Sequence, residues 1–389
     1  MSVHEDVVSS GLYLHIPFCK SVCPYCDFAV RTGGAALRRE FVDSLRSEIE
    51  MRRGYEAVFD TIYLGGGTPS VLESEQLTQI LECVGTSLDV DHRVEIFLEA
   101  NPEDITSENL ILWRELGVTS LSLGVQSFSE RALRFLGRNH TPQQARTAVE
   151  LAMKSGFATV SVDLIYGLPD QTVESWEHDL QAAVELEPDH LSCYQLTIHR
   201  ETVFGARRSR GLLTELVDEV QSELFEKTHQ YLKFQGYPAY EVSSFAKSPE
   251  HQSRHNLKYW DHTPYLGLGP SAHSFAGRRR WWNVRSLESY LERVAQGNLP
   301  IDAGEDLTPE DLRFEAVMLG LRTSQGIDLE AFRSRWGLDL EGLNADLVEE
   351  LVEQGRLSVR GHRLVPSASG MAIADRLALR FDIGVAFDS

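Results

Sequence analysis

Cys19, Cys23 and Cys26 are spaced C-x3-C-x2-C within the run Tyr13-Leu-His-Ile-Pro-Phe-Cys-Lys-Ser-Val-Cys-Pro-Tyr-Cys-Asp-Phe28. Cysteine thiolates are the usual ligands of iron–sulfur clusters, and three of them can hold three corners of a [4Fe–4S] cube. The fourth iron then has no protein ligand and stays open to a small molecule. Two plainer readings compete. A disulfide would leave an odd thiol, and nothing in the sequence suggests secretion. A structural zinc site needs a fourth ligand, and His15 would complete a Cys3His set. His15, however, stands inside an apolar run that reads as a strand, not on a second knuckle, so the cluster is the better match. Cys83 and Cys193 are far from this group in sequence and read as small buried hydrophobes.

Other residues of chemical interest are scattered more widely. Gly65-Gly66-Gly67-Thr68-Pro69 allows the backbone to approach a ligand closely, or simply makes a tight turn; it has neither the P-loop nor the dinucleotide-binding spacing. Glu99 and Asp163 are either capping carboxylates or partners for a ligand's hydroxyl and ammonium groups. Arg138 is either a surface charge or a partner for a carboxylate. His255, followed by Tyr259 and Trp260, combines a possible iron ligand with apolar surface, although histidine and asparagine in such a loop also hydrogen-bond locally. His273 competes with it as a ligand, and His251 and His262 less strongly. Arg278-Arg279-Arg280-Trp281-Trp282 is either a receptor for carboxylates, which guanidinium forks match, or a solvated turn.

The elements that must position these residues follow from periodicity. Short apolar runs at Leu12–Ile16, Thr61–Leu64, Val94–Glu99, Ser120–Leu123, Thr159–Ile165 and Leu191–Leu196 read as strands. Helical patterns lie between or after them at Ala35–Arg53, Glu73–Thr86, Thr106–Leu116, Ser129–Leu136, Pro142–Ser155 and Val173–Leu186. Ser70, Thr106 and Thr141 read as helix starts, and Gly117 and Gly156 as stops. Six β-α units in succession argue for an α/β fold with a parallel sheet. In such sheets ligands bind beyond the carboxyl ends of the strands, and the cysteine loop, the glycine run, Glu99, Gln126 and Asp163 all fall there. Further on, Thr214–Gly236 reads as one long helix and Tyr237–Phe245 as an extended piece. Past Pro309 come short helices (Glu310–Leu321, Leu329–Trp336, Leu343–Gln354) and a hairpin about Gly361, a winged-helix-like combination.

Composition sets the bounds. At 389 residues, 42% hydrophobic and 24% charged, the chain has ample material for a core. Its charge is 37 minus 58, or −21, which argues against general binding to nucleic acid or anionic lipid. No apolar run approaches the ~20 residues of a transmembrane segment, and no secretory signal opens the chain. A cytoplasmic protein is expected.

The cysteine spacing resembles the radical S-adenosylmethionine (SAM) superfamily, and the resemblance narrows with His15-Ile-Pro-Phe-Cys19, Gly65-Gly-Gly-Thr-Pro69, Ser122-Leu-Gly-Val-Gln-Ser-Phe128, Asp163-Leu-Ile-Tyr-Gly-Leu-Pro169 and His255-Asn-Leu-Lys-Tyr-Trp260. Together these motifs, which run through almost the whole chain, resemble the oxygen-independent coproporphyrinogen III oxidase group. The resemblance implies an open, partial (β/α)6 TIM-like barrel over residues 1–205, a connecting region with the His-Asn-x-x-Tyr-Trp motif over 206–305, and a helical, winged-helix-like domain over 306–389. It also implies a [4Fe–4S] cluster on Cys19, Cys23 and Cys26. SAM contacts fall by motif on Tyr13, Gly66, Gly67, Thr68, Glu99, Gln126, Arg138 and Asp163, with Tyr25 placed to flank the adenine. Two branches differ in detail. The oxidase has a further cysteine where this chain has Phe28 and a longer segment ahead of the first strand, whereas twelve residues precede Tyr13 here. With the His255 motif, these departures resemble the heme-chaperone (HemW) branch. That resemblance implies heme binding, with His255 as a ligand, and delivery to apo-heme acceptor proteins, membrane respiratory enzymes among them. Decarboxylation of coproporphyrinogen is the alternative.

Overall fold

Strand β1 (Ser10–Ile16) is buried along nearly its whole length, as expected for a parallel strand covered on both faces. The structure, a computed structural model, describes residues 9–384. On one face of β1, Leu12, Leu14 and Ile16 join the core that contains Phe41, Leu45 and Ile49 of α1 (Ala35–Met51). On the other face, Gly11, Tyr13 and His15 stand beside Thr61, Tyr63 and Gly65 of β2 (Val58–Gly66). The pattern repeats through β3 (Asp89–Ala100), β4 (Ser120–Gln126), β5 (Thr159–Tyr166) and β6 (His190–Gln195), which lie side by side and parallel in chain order. The crossovers contain α2 (Ser74–Ser87), α3 (Ser107–Glu115), α4 (Glu130–Phe135), α5 (Pro142–Met153) and α6 (Val173–Val184).

All six expected strands and six expected helices are present, with ends shifted by a few residues. The caps at Thr106 and Thr141 accept the backbone N–H groups of Asn109 and Gln144. Gly117 and Gly156 follow α3 and α5 in the left-handed conformation that such stops require. Ser70 does not start a helix. It lies in a single 3-10 turn and donates to Asp104, while Glu73 and Gln76 form the capping box of α2.

The parallel core is extended at both edges. A short β7 (Ser244–Ala246) runs antiparallel to β6. Beyond β1 lie β8 (Tyr265–Leu268, parallel to β1), then antiparallel β9 (His273–Ala276), β10 (Arg279–Asn283) and β11 (Ile301–Asp306), giving an open sheet of eleven strands. Helices α7 (Val203–Ser209), α8 (Asp218–Phe234), α9 (Arg254–Trp260) and α10 (Leu287–Ala295) belong to this part. Several sequence expectations are corrected here. The long helix begins at Asp218 rather than Thr214, most of Tyr237–Phe245 is irregular, and the arginine–tryptophan run is a strand. The main core draws on residues either side of 205, from Leu12 to Val294 with Met371 of the C-terminal part, while Leu196, Phe204 and Leu213 form a smaller cluster of their own.

A second core, with Val317, Leu321, Phe332, Leu351 and Leu364, lies in the C-terminal part. It holds α11 (Pro309–Gly320), α12 (Leu329–Trp336), α13 (Leu340–Leu343) and α14 (Ala345–Glu353) against a three-stranded sheet of β12 (Ile327–Asp328), β14 (Arg363–Pro366) and β13 (Leu357–Arg360). The helix expected at Leu343–Gln354 is interrupted at Asn344, whose side-chain amide donates to the carbonyls of Leu340 and Asp382. Among the described residues no helix is long and apolar enough to cross a membrane.

Candidate cluster and cofactor site

The cysteine loop is tied at its base by the backbone. Cys19 N–H donates to Arg31 O at 3.0 Å and Arg31 N–H to Pro17 O at 2.8 Å. Inside β1, the His15 ring bonds Ala29 O through Nε2 at 3.0 Å and the Tyr13 hydroxyl through Nδ1 at 3.1 Å. Burial pulls the His15 pKa down to about 4, so the ring is neutral and acts as a strut, with neither nitrogen free for zinc. Outer contacts hold the rest of the loop: Phe204 N–H donates to Pro24 O at 2.9 Å, Asn139 to Ser21 at 2.8 Å, and Lys20 pairs with Asp104.

Behind the loop, at the carboxyl ends of the strands, opens a cavity of about 400 Å³. All three cysteines line it, and so do Tyr25, Gly66, Gly67, Thr68, Glu99, Gln126, Arg138 and Asp163. A polar chain crosses its floor. Arg138 Nη1 donates to Cys23 Sγ at 3.5 Å, its Nη2 bonds Asn101 Oδ1, Asn101 Nδ2 donates to Thr68 Oγ1 at 3.2 Å, and Thr68 donates to Cys19 Sγ at 3.5 Å. Two of the three sulfurs thus already receive a hydrogen bond, and for Cys19 the bond from Thr68 favours the anionic form. Burial works against that form and pushes the Cys19 thiol up to about 11, so binding a metal centre must displace protons.

The carboxylates are held as firmly. Glu99 accepts from the Tyr63 hydroxyl at 2.8 Å and from Gly66 N–H at 3.2 Å. Burial, with a smaller push from Asp163, raises its pKa to about 7. Asp163 accepts from Ser122 at 2.7 Å and Ser161 at 3.2 Å, and burial raises its pKa too. Gln126 sits where the β4–β5 register shifts and takes a φ of 68°, a strained conformation that turns up at ligand sites. A Cβ on Gly124 would come within 3.0–3.3 Å of the side-chain ends of Gln126, Arg138 and Asn101, so a larger residue there would crowd that floor. Gly66 is required for another reason: its φ is +101° and a Cβ would stand 2.4 Å from the His15 ring. The donors present, three thiols with an open space and neutralisable carboxylates beside them, fit a [4Fe–4S] cluster with a cationic amino-acid ligand.

Two of the residues expected to contact SAM or heme, Tyr13 and His255, do not line the cavity. Tyr13 stacks on Tyr63 with ring centroids 6.2 Å apart and reaches the site through that neighbour. His255 is 1% exposed in α9. Its Nδ1 faces Thr61 Oγ1 at 2.9 Å and its Nε2 the Tyr259 hydroxyl at 2.9 Å, and the ring stacks on Tyr63. Burial drives its pKa down to about 3. With both nitrogens occupied, His255 offers iron no open position, and the expected axial role conflicts with this geometry. His251 bonds Thr159 and His262 bonds Glu315. Arg280 is committed to Glu315 and Glu305, whereas the exposed Arg278 spends only its Nε on Leu307 O. Sequence reasoning missed Asn101 and Tyr63 as site residues. Asn101 stands just past the end of β3 and Tyr63 inside an ordinary strand, so neither carried a signal of its own.

Comparison with known proteins gives concordant results. Residues 13–183 match the model of the radical SAM superfamily, and residues 307–373 that of the HemN C-terminal domain. The chain is 36% identical over 354 residues to heme chaperone HemW of Escherichia coli K12, covering 90% of this chain and 91% of that protein. Identity to heme chaperone HemW of Bacillus subtilis 168 is 34% over 346 residues, covering 88% and 91%. The solved structure of coproporphyrinogen III oxidase (HemN) from Escherichia coli, a radical SAM enzyme, matches with a TM-score of 0.81 over 95% of this chain and 89% of that one. At 24% identity this is a likeness of fold. With these identities spread over nine-tenths of the sequence, the chain belongs to the HemW family of radical SAM proteins.

Proposed function

We propose that this protein is a heme chaperone that carries a [4Fe–4S] cluster and SAM, binds heme, and passes it to apo-heme acceptor proteins. The cluster is held by Cys19, Cys23 and Cys26. SAM lies beside it against Gly66, Gly67, Thr68, Glu99, Gln126, Arg138 and Asp163, with Tyr25 flanking the adenine and Tyr13 supporting the wall behind Tyr63. Cys19, Cys23 and Cys26 would hold the cluster, and the chemistry it would supply there is one-electron reduction of the sulfonium of SAM. The chain's own groups bind and orient: Glu99 and Asp163 receive cationic and hydroxyl groups, and Arg138 receives a carboxylate. In this reading residues 1–205 carry the cluster and SAM, 206–305 complete the sheet, and 306–389 form the C-terminal domain.

The observation that supports cluster and SAM most directly is the convergence of three thiols, the glycine run and Glu99 on one cavity. Heme delivery rests on the family's named members. The chain also lacks the oxidase's additional cysteine: Phe28 occupies that position, 62% exposed at the mouth of the cavity. Anaerobic reconstitution, iron and sulfide analysis, heme titration and transfer to an apo-cytochrome test the proposal. Expected are about four irons per chain, set by the cube, and loss of the cluster in Cys19→Ala but not Cys83→Ala. Heme should pass to the acceptor, and added coproporphyrinogen III should keep its carboxylates. Stoichiometric zinc without iron would exclude the cluster, and anaerobic formation of protoporphyrinogen would establish the oxidase reading instead.

A further inference from the structure

The His255-Asn-x-x-Tyr-Trp motif has no task in the cavity itself, and its surroundings supply one behind it. The helix that carries it, α9, is tied to the first three strands. Arg254 pairs with Asp60 at 2.6 Å and Glu95 at 2.8 Å, and Lys258 Nζ donates to Ser9 O at 2.9 Å. Between these ties the His255 ring stands on the face of the sheet that carries Tyr13, Tyr63 and Glu99. Gly11 of β1 makes room for it, since a Cβ there would lie 3.1 Å from His255 Cε1.

From the ring a continuous path runs to the cavity. His255 stacks on Tyr63 with centroids 5.1 Å apart and planes 29° apart, and Tyr63 also packs on Phe97 and Tyr13. The Tyr63 hydroxyl then donates to Glu99 at 2.8 Å. Gly65 leaves that path open, because a Cβ there would lie 2.7 Å from Tyr63 Cε1 and 3.1 Å from the Glu99 carboxyl carbon. Thr61 and Tyr259, each at 2.9 Å, engage the two nitrogens of His255 and stop the ring from tilting. A leucine would fill the same space. Only a flat ring held at both nitrogens also sets the plane of the tyrosine in front of it. The other titratable groups facing Glu99 are Tyr13, Asp163, Tyr194 and Tyr259. Among the described residues Tyr63 is the side chain that donates to it.

We propose that His255 is a positioning residue for SAM: it fixes the Tyr63 ring from behind, and Tyr63 aims the Glu99 carboxylate at the cationic group of the ligand. This deepens the SAM-binding reading above and rests on it. The motif thereby serves the cavity from outside its lining.

Cluster-loaded protein is titrated with SAM by calorimetry from pH 5.5 to 8.5. In wild type the affinity should level off once Glu99 is ionised. Tyr63→Phe removes a donor that favours the ionised form, so the levelling should move up by about one pH unit, the scale of one hydrogen bond to a charged group. Binding at pH 6 should then be about 10-fold weaker. His255→Leu should give the same change, with cluster content and circular dichroism as in wild type. Combining the two should add little to either alone, because both act on one path. Tyr259→Phe frees one ring nitrogen and should move the profile the same way by less; it replaces His255→Leu in the cycle if that variant does not fold. The remote, exposed His92→Ala should match wild type. A wild-type profile in the His255→Leu and Tyr259→Phe proteins, or additive effects in the double variant, overturns the inference and leaves the SAM site standing. If wild type binds no SAM, the reading of the site itself fails.

Discussion

The Glu99 carboxyl shows how strongly a single buried group can set the behaviour of the site. Its pKa of about 7, against 4.5 for the free group, reflects burial first and Asp163 second, with Tyr63 and Gly66 pulling the other way. In the empty protein the folded state therefore holds a proton that the unfolded state has lost, and stability from this group falls as pH rises from about 4.5 through 7. A cationic ligand reverses that cost, because it needs the ionised form. SAM affinity of reconstituted protein should rise with pH up to about 7, by at most ~10-fold per unit for one proton released. Calorimetry between pH 5.5 and 7.5, in buffers of differing ionisation enthalpy, checks this, and Glu99→Gln should give weaker and pH-independent binding. The cysteines, the glycines and the acidic strand ends were readable because type and spacing carry the signal. His255 was misleading for a physical reason: sequence shows that a histidine is present but not whether its nitrogens are already used.

At the scale of elements, β1, β2 and the cysteine loop form one device. His15 supports the loop through Ala29, and its ring fills the space that a side chain on Gly66 would need. Gly66→Ala should therefore cost about 2–4 kcal/mol through left-handed strain and overpacking together, and should lower iron incorporation. Thermal denaturation and iron analysis measure both. Adding His15→Ala should recover part of the stability, since it removes the clash and leaves the strain. A purely ligand-related role for Gly66 predicts no such rescue. The six β-α units were legible because apolar runs and caps agreed. The edge strands β7, β8, β9, β10 and β11 were not, because they are short and their side chains serve mixed surroundings. Arg279–Asn283 in particular reads as polar and aromatic by turns, and becomes a strand only because β9 and β11 flank it.

The whole molecule joins two cores, and Arg280 is one of the bonds between them. Its guanidinium holds Glu315 of α11 at 2.8 and 2.9 Å, and Glu315 also bonds His262 at 3.1 Å. Arg280→Ala should destabilise by about 1–3 kcal/mol, the range for a charge-assisted hydrogen bond lost in a partly buried setting. Calorimetric unfolding should then separate into two transitions as the C-terminal core melts first. A single transition of unchanged midpoint would show that apolar contacts such as Phe275 with Leu307 and Leu312 hold the junction alone. None of this junction was visible in sequence, because the partners lie 35 residues apart or more in separate elements.

The loop between Pro17 and Arg31 is tied shut by backbone bonds that involve no sulfur. The base of the loop that carries the proposed ligands is thus fixed by the fold and not by iron. The proposed centre would then be a serviceable part: oxidative loss would strip the metal but leave its socket standing, and repair would be a matter of refilling. Repeated anaerobic cycles of chelation and reconstitution should return the same iron content each time, with the stripped protein keeping its fold and its resistance to proteolysis within the loop.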